Sequence, residues 1–320
     1  MSRARLAFAL GLALIAGCDE TRRIPGATGG GGGGGTRADA GTRADGAIDD
    51  ATDEPRDGGA AHDGGTSETP GSDAGASGGM ITGSVHLFQQ ELFGQRSASL
   101  SAAFIRGVFD PSACTTRTDG PCRVTVCSPT SGQTVEPLDG GAVRALVGAQ
   151  SLVTRFDAAQ RGYAPASGTW VLVGTPVSFE VAGRGAIPAL SATLTTPAEI
   201  TLRQPAIATP NERRSTPPNT ALELAWDGDG PGEVNVSLSA GTQEGASTSV
   251  QCAYSPSARS GRIPASVFGA LSGVADEATM FVSGSASTRV QQSGVDVTFG
   301  VMTSGRSATG ALTIATLVFR

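Results

Sequence analysis

From Ile81 to the C-terminus, apolar residues recur at every second position, and helical spacing is held for no more than about two turns. This alternation constrains the chain more than any other feature, because a half-buried strand has period two and an amphipathic helix has period 3.6. Val85 and Leu87 alternate with His86 and Phe88, and Cys122-Arg123-Val124-Thr125-Val126-Cys127 alternates without a break. Leu222, Leu224 and Trp226 share one face, as do Val234, Val236 and Leu238, and then Val250, Cys252 and Tyr254. Further strands are predicted at 100–109, in two runs within 143–156, at 169–173 and 177–181 around Gly174-Thr175-Pro176, along 187–202, and at 279–282, 295–302 and 312–319. The run Asp227-Gly228-Asp229-Gly230-Pro231-Gly232 reads as the turn of a hairpin joining 222–226 to 234–238. One short helix is predicted at 264–271, with Pro264 near its start. Many short strands punctuated by Gly and Pro give an all-β fold, an antiparallel β-sandwich of jelly-roll-like character over 81–320. The proline-rich stretch 204–220 is a long crossover or a boundary between subdomains.

Residues 18–80 have a different composition. They contain seven consecutive glycines at 29–35 and no aromatic residue, and only Ile24 and Ile48 are large aliphatics. Twelve acids against five arginines make 19–80 strongly acidic. Such a segment cannot bury enough apolar surface to offset chain entropy, so a disordered tether is expected. A Gly-rich coil of about 60 residues reaches about 40–45 Å. Gly75-Ala76-Ser77-Gly78-Gly79 matches the nucleophile pattern G-x-S-x-G, but it lacks the strand and helix that pattern needs.

Before the tether, Arg3 and Arg5 precede the uncharged apolar run 6–16. A basic start, a short apolar run and small residues form a secretory signal, expected to span 1–17. The run is too short for a bilayer core that takes about 20 residues. Leu14-Ile15-Ala16-Gly17-Cys18 resembles a bacterial lipobox. The resemblance implies cleavage before Cys18, a diacylglyceryl thioether on it, and a further acyl chain on its amine. More than one chain is what stable anchoring takes, at about 0.8 kcal/mol per buried CH₂. The membrane, reached through the lipid on Cys18, is thus one expected partner, and the location is the bacterial cell envelope, facing the periplasm or the cell surface.

Charge and composition remove several functions. Residues 81–320 carry seventeen acids and sixteen arginines, so no basic surface suits nucleic acid. All 23 basic residues are arginine, which excludes lysine Schiff-base chemistry. Past the tether only His86 remains, so a multi-histidine metal site is excluded and a Ser-His-Asp triad would have to use it. No cofactor is expected. Asp227, Asp229 and Glu233 place oxygens at a spacing that calcium could use, although Pro231 sits where an EF-hand needs a ligand. A plain turn accounts for the same residues. Trp170 and Trp226 are candidate ligand-binding platforms, set against core packing suggested by their apolar neighbours. Glu91, Glu136, Glu180 and Asp296 are dispersed, and adjacent Asp276 and Glu277 point apart on an extended chain.

In an exported chain Cys114, Cys122, Cys127 and Cys252 are expected to form two disulfides. Cys122 and Cys127 lie about 17 Å apart along one strand, too far to bond. Two pairings survive. Locality favours Cys114–Cys122 with Cys127–Cys252, the pairing expected here. Strand parity favours Cys114–Cys127 with Cys122–Cys252, since Cys122 shares a face with Val124 as Cys252 does with Val250.

The lipobox, the Gly/Asp-rich spacer, Cys114-x₇-Cys122-x₄-Cys127, and Cys252-Ala253-Tyr254 before Gly261-Arg262-Ile263-Pro264 resemble uncharacterised lipoproteins of myxobacterial type. The resemblance runs loosely over 81–270 and implies an architecture, without catalytic residues. The functional expectation is a non-enzymatic, lipid-anchored envelope protein with a binding or structural β-domain. An envelope polysaccharide, peptidoglycan or another envelope protein would be its partner. The alternative is an extracytoplasmic carbohydrate-active hydrolase on the same scaffold.

Overall fold

The computed structural model describes residues 80–320 except 93, 108–112, 130–134 and 243–244. The expected signal, Cys18 and the tether up to residue 79 lie outside the described residues. The strands in chain order are β1 (Met80–Leu92), β2 (Gln95–Gly107), β3 (Cys114–Asp119), β4 (Cys122–Cys127), β5 (Val135–Pro137), β6 (Val143–Val147) and β7 (Gln150–Thr154). Next come β8 (Phe156–Asp157), β9 (Gly162–Tyr163), β10 (Ala166–Gly168), β11 (Pro176–Val181), β12 (Leu190–Thr195), β13 (Thr201–Gln204) and β14 (Glu212–Thr216). The last are β15 (Leu222–Asp227), β16 (Glu233–Gly241), β17 (Ser247–Tyr254), β18 (Ser260–Ile263), β19 (Glu277–Gln292), β20 (Val295–Ser304), β21 (Arg306–Ser307) and β22 (Ile314–Phe319). Helix α1 (Ala265–Ser272) lies between β18 and β19, with Pro264 as its N-cap.

A large twelve-stranded sheet carries the architecture. Its main path is β10-β2-β1-β20-β19-β16-β17-β4-β3, with β5 beside β2, β22 beside β19 and β14 beside β22. Two four-stranded sheets, β12-β11-β6-β7 and β18-β15-β13-β21, pack on it. The first buries Val177, Phe179 and Val181 against Val85, Leu87, Val297 and Phe299. The second, with Val267, Phe268 and Leu271 of α1, buries Leu202, Leu224 and Trp226 against Val236, Leu238, Val250 and Met280. Each such side chain contributes about 1.5–3 kcal/mol when removed from water. The all-β sandwich expected from the alternation is what forms. Most pairings are antiparallel, and β1–β20, β14–β22 and β13–β21 are parallel.

The 16-residue β19 serves both cores. Met280 and Val282 lie in one, while Val290 packs against the other. Between them sits Gly284, crossed by the link from β12 to β13: a Cβ there would lie 2.1 Å from the Ala198 carbonyl oxygen. Only glycine lets the two small sheets follow one another over the same strand at this approach.

Several expectations are corrected. The hairpin across 227–232 does not exist. β15 pairs with β13 and β18, whereas β16 pairs with β17 and β19 in the large sheet. Leu224 and Trp226 do meet Val234 and Val236, but across a core instead of beside them. The stretch 169–173 is not a strand. The proline-rich stretch 204–220 contains the edge strand β14 in addition to loop. The disulfides are Cys114–Cys127 and Cys122–Cys252, not the local pairing. The reason is register: β3 and β4 are an antiparallel hairpin in which Cys114 faces Cys127 and Asp119 faces Cys122. Cys114 and Cys122 therefore sit at opposite ends of that hairpin, while Cys252 lies directly across from Cys122.

The two disulfides mark an oxidising, extracytoplasmic compartment. Among the described residues no helix is long and apolar enough to cross a membrane.

Candidate functional site

The surface with the most unusual side-chain placement is the segment 169–175, between β10 and β11. Its position is set by a buried amide. Gln89 sits on the core face of β1, two residues beyond Leu87, and is fully buried. Its Nε2 donates to Thr303 Oγ1 at 3.1 Å, and its Oε1 accepts the Val171 N–H at 2.6 Å. A buried amide left unpaired is costly, so this bond fixes the segment to the sheet beneath it. The chain then turns. Thr175 N–H donates to the Leu172 carbonyl at 3.2 Å, with Gly174 at φ +78° in the third position, as a type II turn requires. Gly174 N–H and Thr196 O, 3.0 Å apart, tie the turn to the end of β12.

This pinned turn holds apolar side chains outward. Leu172 is 71% exposed and Val173 36%. Trp170, just before them, is half-buried, and the Arg96 guanidinium lies 4.8 Å from its ring centroid, an attractive cation–π contact. One face of the ring is thus occupied by protein, which weakens its use as a sugar-stacking platform.

Arg96 also belongs to a ring of alternating charges. It donates to Glu91 at 2.9 Å and to Glu199 at 3.3 Å, and Arg306 donates to the same two carboxylates at 3.4 and 3.2 Å. The four groups come from the β1–β2 hairpin, the β12–β13 link and β21, and they stitch together elements belonging to the two cores. The approach of Glu91 to Glu199 was not legible in the sequence, because residue 199 carried no motif. Each carboxylate is shared between two guanidiniums, so both are engaged in ion pairs within the protein.

The remaining predicted site residues do not converge. Trp226 is 2% exposed, packs on Tyr254 at 5.6 Å and donates from Nε1 to the Pro256 carbonyl at 3.1 Å, so it is a core residue and not a ligand platform. Asp227 is paired with Arg203 and Asp229 with Arg259, while Glu233 lies opposite Ser285 at the start of β16. Two of the three calcium-candidate carboxylates are thus paired with separate arginines, and among the described residues no group of three or more His, Cys, Asp or Glu stands where it could hold a metal ion. The glycines around them allow close passage instead, since a Cβ on Gly228 would lie 2.5 Å from the Glu199 carbonyl.

His86 lies on β1 opposite Gly300, and burial lowers its pKa to about 4, leaving it neutral at pH 7. Its Nδ1 has no hydrogen-bond partner among the described residues, so no serine or carboxylate completes a triad there. Glu136 pairs with Arg106 at 3.2 Å, Asp296 pairs with Arg289, and Glu277 pairs with Arg213, while Glu180 is exposed on β11. Hydrogen bonds from Arg289 and Gln291 hold the Asp296 carboxyl below the usual carboxylate range. An open cleft of about 500 Å³ runs between β3, β4 and α1. Its one charged group, Arg117, is already bonded to the Ser266 carbonyl at 3.2 Å.

No family model matches the chain, and no curated protein does. Among solved structures, a three-immunoglobulin-domain segment of titin, in an E-to-A variant, shares 9% identity over 71% of this chain and 96% of that chain, with a TM-score of 0.12. A likeness at that score carries no argument about role.

Proposed function

We propose that this chain is a lipid-anchored envelope protein, tethered through Cys18, whose β-domain has a binding or structural role and performs no catalysis. The observation that carries this reading is the pair of disulfides in a chain that opens with a basic, then apolar stretch ending in Gly17-Cys18. Export explains both. The Arg-paired state of Glu91 and Glu199, and a His86 whose Nδ1 has no partner among the described residues, support a non-enzymatic role. The likeness to myxobacterial-type lipoproteins agrees with the same anchoring.

The test separates anchor from signal. Cys18→Ser behind a heterologous cleavable signal should move the protein from the membrane fraction to the soluble fraction, while wild type stays with membranes. Membrane retention of the exchanged-signal Cys18→Ser protein would overturn the single-anchor reading.

A further inference from the structure

We propose that the outer edge of β3 takes up an extended peptide segment as one more strand of the large sheet, with two uncharged β-branched side chains of that segment lodged in the cleft beside α1. The proposal rests on the binding role in the reading above and does not draw on the anchor. β3 ends the main path of the sheet and pairs with β4 alone. The Ala113 carbonyl accepts the Ser128 N–H at 2.8 Å. By alternation Thr115, Arg117 and Asp119 bond to β4, while the N–H and C=O groups of Cys114, Thr116 and Thr118 point away from it. Thr115 to Thr118 are all exposed. Their pairing with β4 contains no bulge and no proline, and the Cys114–Cys127 disulfide locks one end of it. The other edges of the large sheet are the three-residue β5 and β10, and β14 with its Glu212, Arg213 and Arg214. A straight edge with outward backbone groups is a template for another strand.

The cleft is an observation independent of the edge. Val124 of β4 is fully buried in the core that α1 helps to form, yet Arg117, directly opposite it on the same face of β3, is exposed, as is Thr115. The core thus stops one strand short of the edge. The flank of α1 turned to this space carries Ser266, Gly269 and Ala270, all small, and a Cβ on Gly269 would have no atom within 4 Å. Thr116, whose backbone faces the edge, is among the walls of the cleft. Residues directly opposite in a sheet share a face, so the two residues of an added strand that face Thr115 and Arg117 bring their side chains over the cleft. Val124 and Val126 offer those side chains an apolar wall, and the one charged group, Arg117, is already engaged by the Ser266 carbonyl. Backbone bonds along an edge, with space for alternate side chains, are the basis of recognition by strand addition. Size selects the occupant. Six residues give an edge of about 20 Å. That is short for a folded partner or a second copy, which takes about 800 Å² per side, and it fits one extended hexapeptide.

The probe is a fluorescein-labelled hexapeptide of alternating valine and threonine, held at nanomolar concentration. The mature chain in detergent micelles is titrated into it and anisotropy is followed, with protein-free micelles as the blank. Saturable binding is expected. Two N-methylated isomers of the probe, each blocking one alternate set of amides, separate strand addition from simple filling of the cleft. One isomer should lose binding and the other should keep it. Thr116→Pro removes an outward N–H that β4 does not use, and Gly269→Leu fills the cleft from a helical position where leucine is favoured over glycine. Each should weaken binding by about tenfold or more, since edge and cleft both contribute to recognition. Thermal midpoints check that the variants fold, and if Thr116→Pro does not, Gly269→Leu and the N-methylated isomers decide the matter. No saturable binding above the blank, equal binding of both isomers, or undiminished binding by the folded variants would overturn the proposal. A dimer in sedimentation that Thr116→Pro abolishes would assign the edge to a second copy and overturn the peptide assignment. None of these results touches the Cys18 anchor, which membrane fractionation tests.

Discussion

The two disulfides should differ in worth, and the difference follows from where they close the chain. Cys122–Cys252 spans 130 residues, and Cys114–Cys127 spans 13. In the chain-entropy treatment the long closure stabilises by about 5 kcal/mol and the short one by about 3 kcal/mol at 25 °C. The structure widens the gap. Cys122 and Cys252 are fully buried within the core that holds Trp226 and α1, whereas Cys127 is half-buried on the neighbouring strand pair. The long bond also encloses all of β5–β12, the strands that build most of one core. Replacing both partners of each bond by alanine avoids a stray thiol. For a domain of this size 1 kcal/mol corresponds to about 2–4 °C, so Cys122→Ala with Cys252→Ala should lower the thermal midpoint by roughly 10–20 °C. Cys114→Ala with Cys127→Ala should lower it by roughly 6–12 °C. Calorimetry on the oxidised proteins measures both. Equal losses, or a larger loss from the short bond, would refute the loop-length argument and the placement of Cys252 in the core.

Other expectations follow from single residues. Gly284→Ala puts a methyl against the Ala198 carbonyl and should destabilise by about 1–3 kcal/mol or more in urea unfolding; an unchanged midpoint would mean that the β12–β13 link crosses elsewhere. Trp226→Phe keeps much of the ring volume but strands the Pro256 carbonyl, so about 1–3 kcal/mol should be lost, measured the same way. His86 has a folded pKa near 4 against an ordinary 6.5, so the unfolded chain binds the extra proton between those values. The stability it contributes is present above pH 6.5 and is lost as pH falls toward 4, by up to about 1.4 kcal/mol per pH unit. His86→Gln should flatten that part of the stability profile relative to wild type, and parallel profiles would contradict its burial.

The alternation from Ile81 onward fixed which side chains face a core, and the strands it marked at 122–127, 222–226, 234–238 and 295–302 all form. Alternation does not tell whether a partner strand lies alongside or across the core. That is why Leu222–Trp226 and Val234–Leu238 read as a hairpin and turn out to belong to different sheets. The disulfides show the same division: face parity pointed to Cys122–Cys252, and proximity in sequence pointed the wrong way. The second half of β19 escaped notice because Ser283-Gly284-Ser285-Ala286-Ser287 has the small, polar composition of a loop. Those residues are small because another strand link crosses at Gly284. The candidate site was least legible. Trp170-Val171-Leu172-Val173 has the composition of a core strand, and nothing local shows that Gln89, eighty residues earlier, holds it at the surface.

The central claim is that this domain is held to a membrane by lipid on Cys18. Intact-mass and peptide mass spectrometry of the protein taken from its native membrane tests it most directly. The account predicts a mature N-terminus at Cys18 bearing a diacylglyceryl thioether and an amide-linked acyl chain, with residues 1–17 absent. A mature chain starting at any other residue, or an unmodified Cys18 in membrane-bound protein, would contradict it.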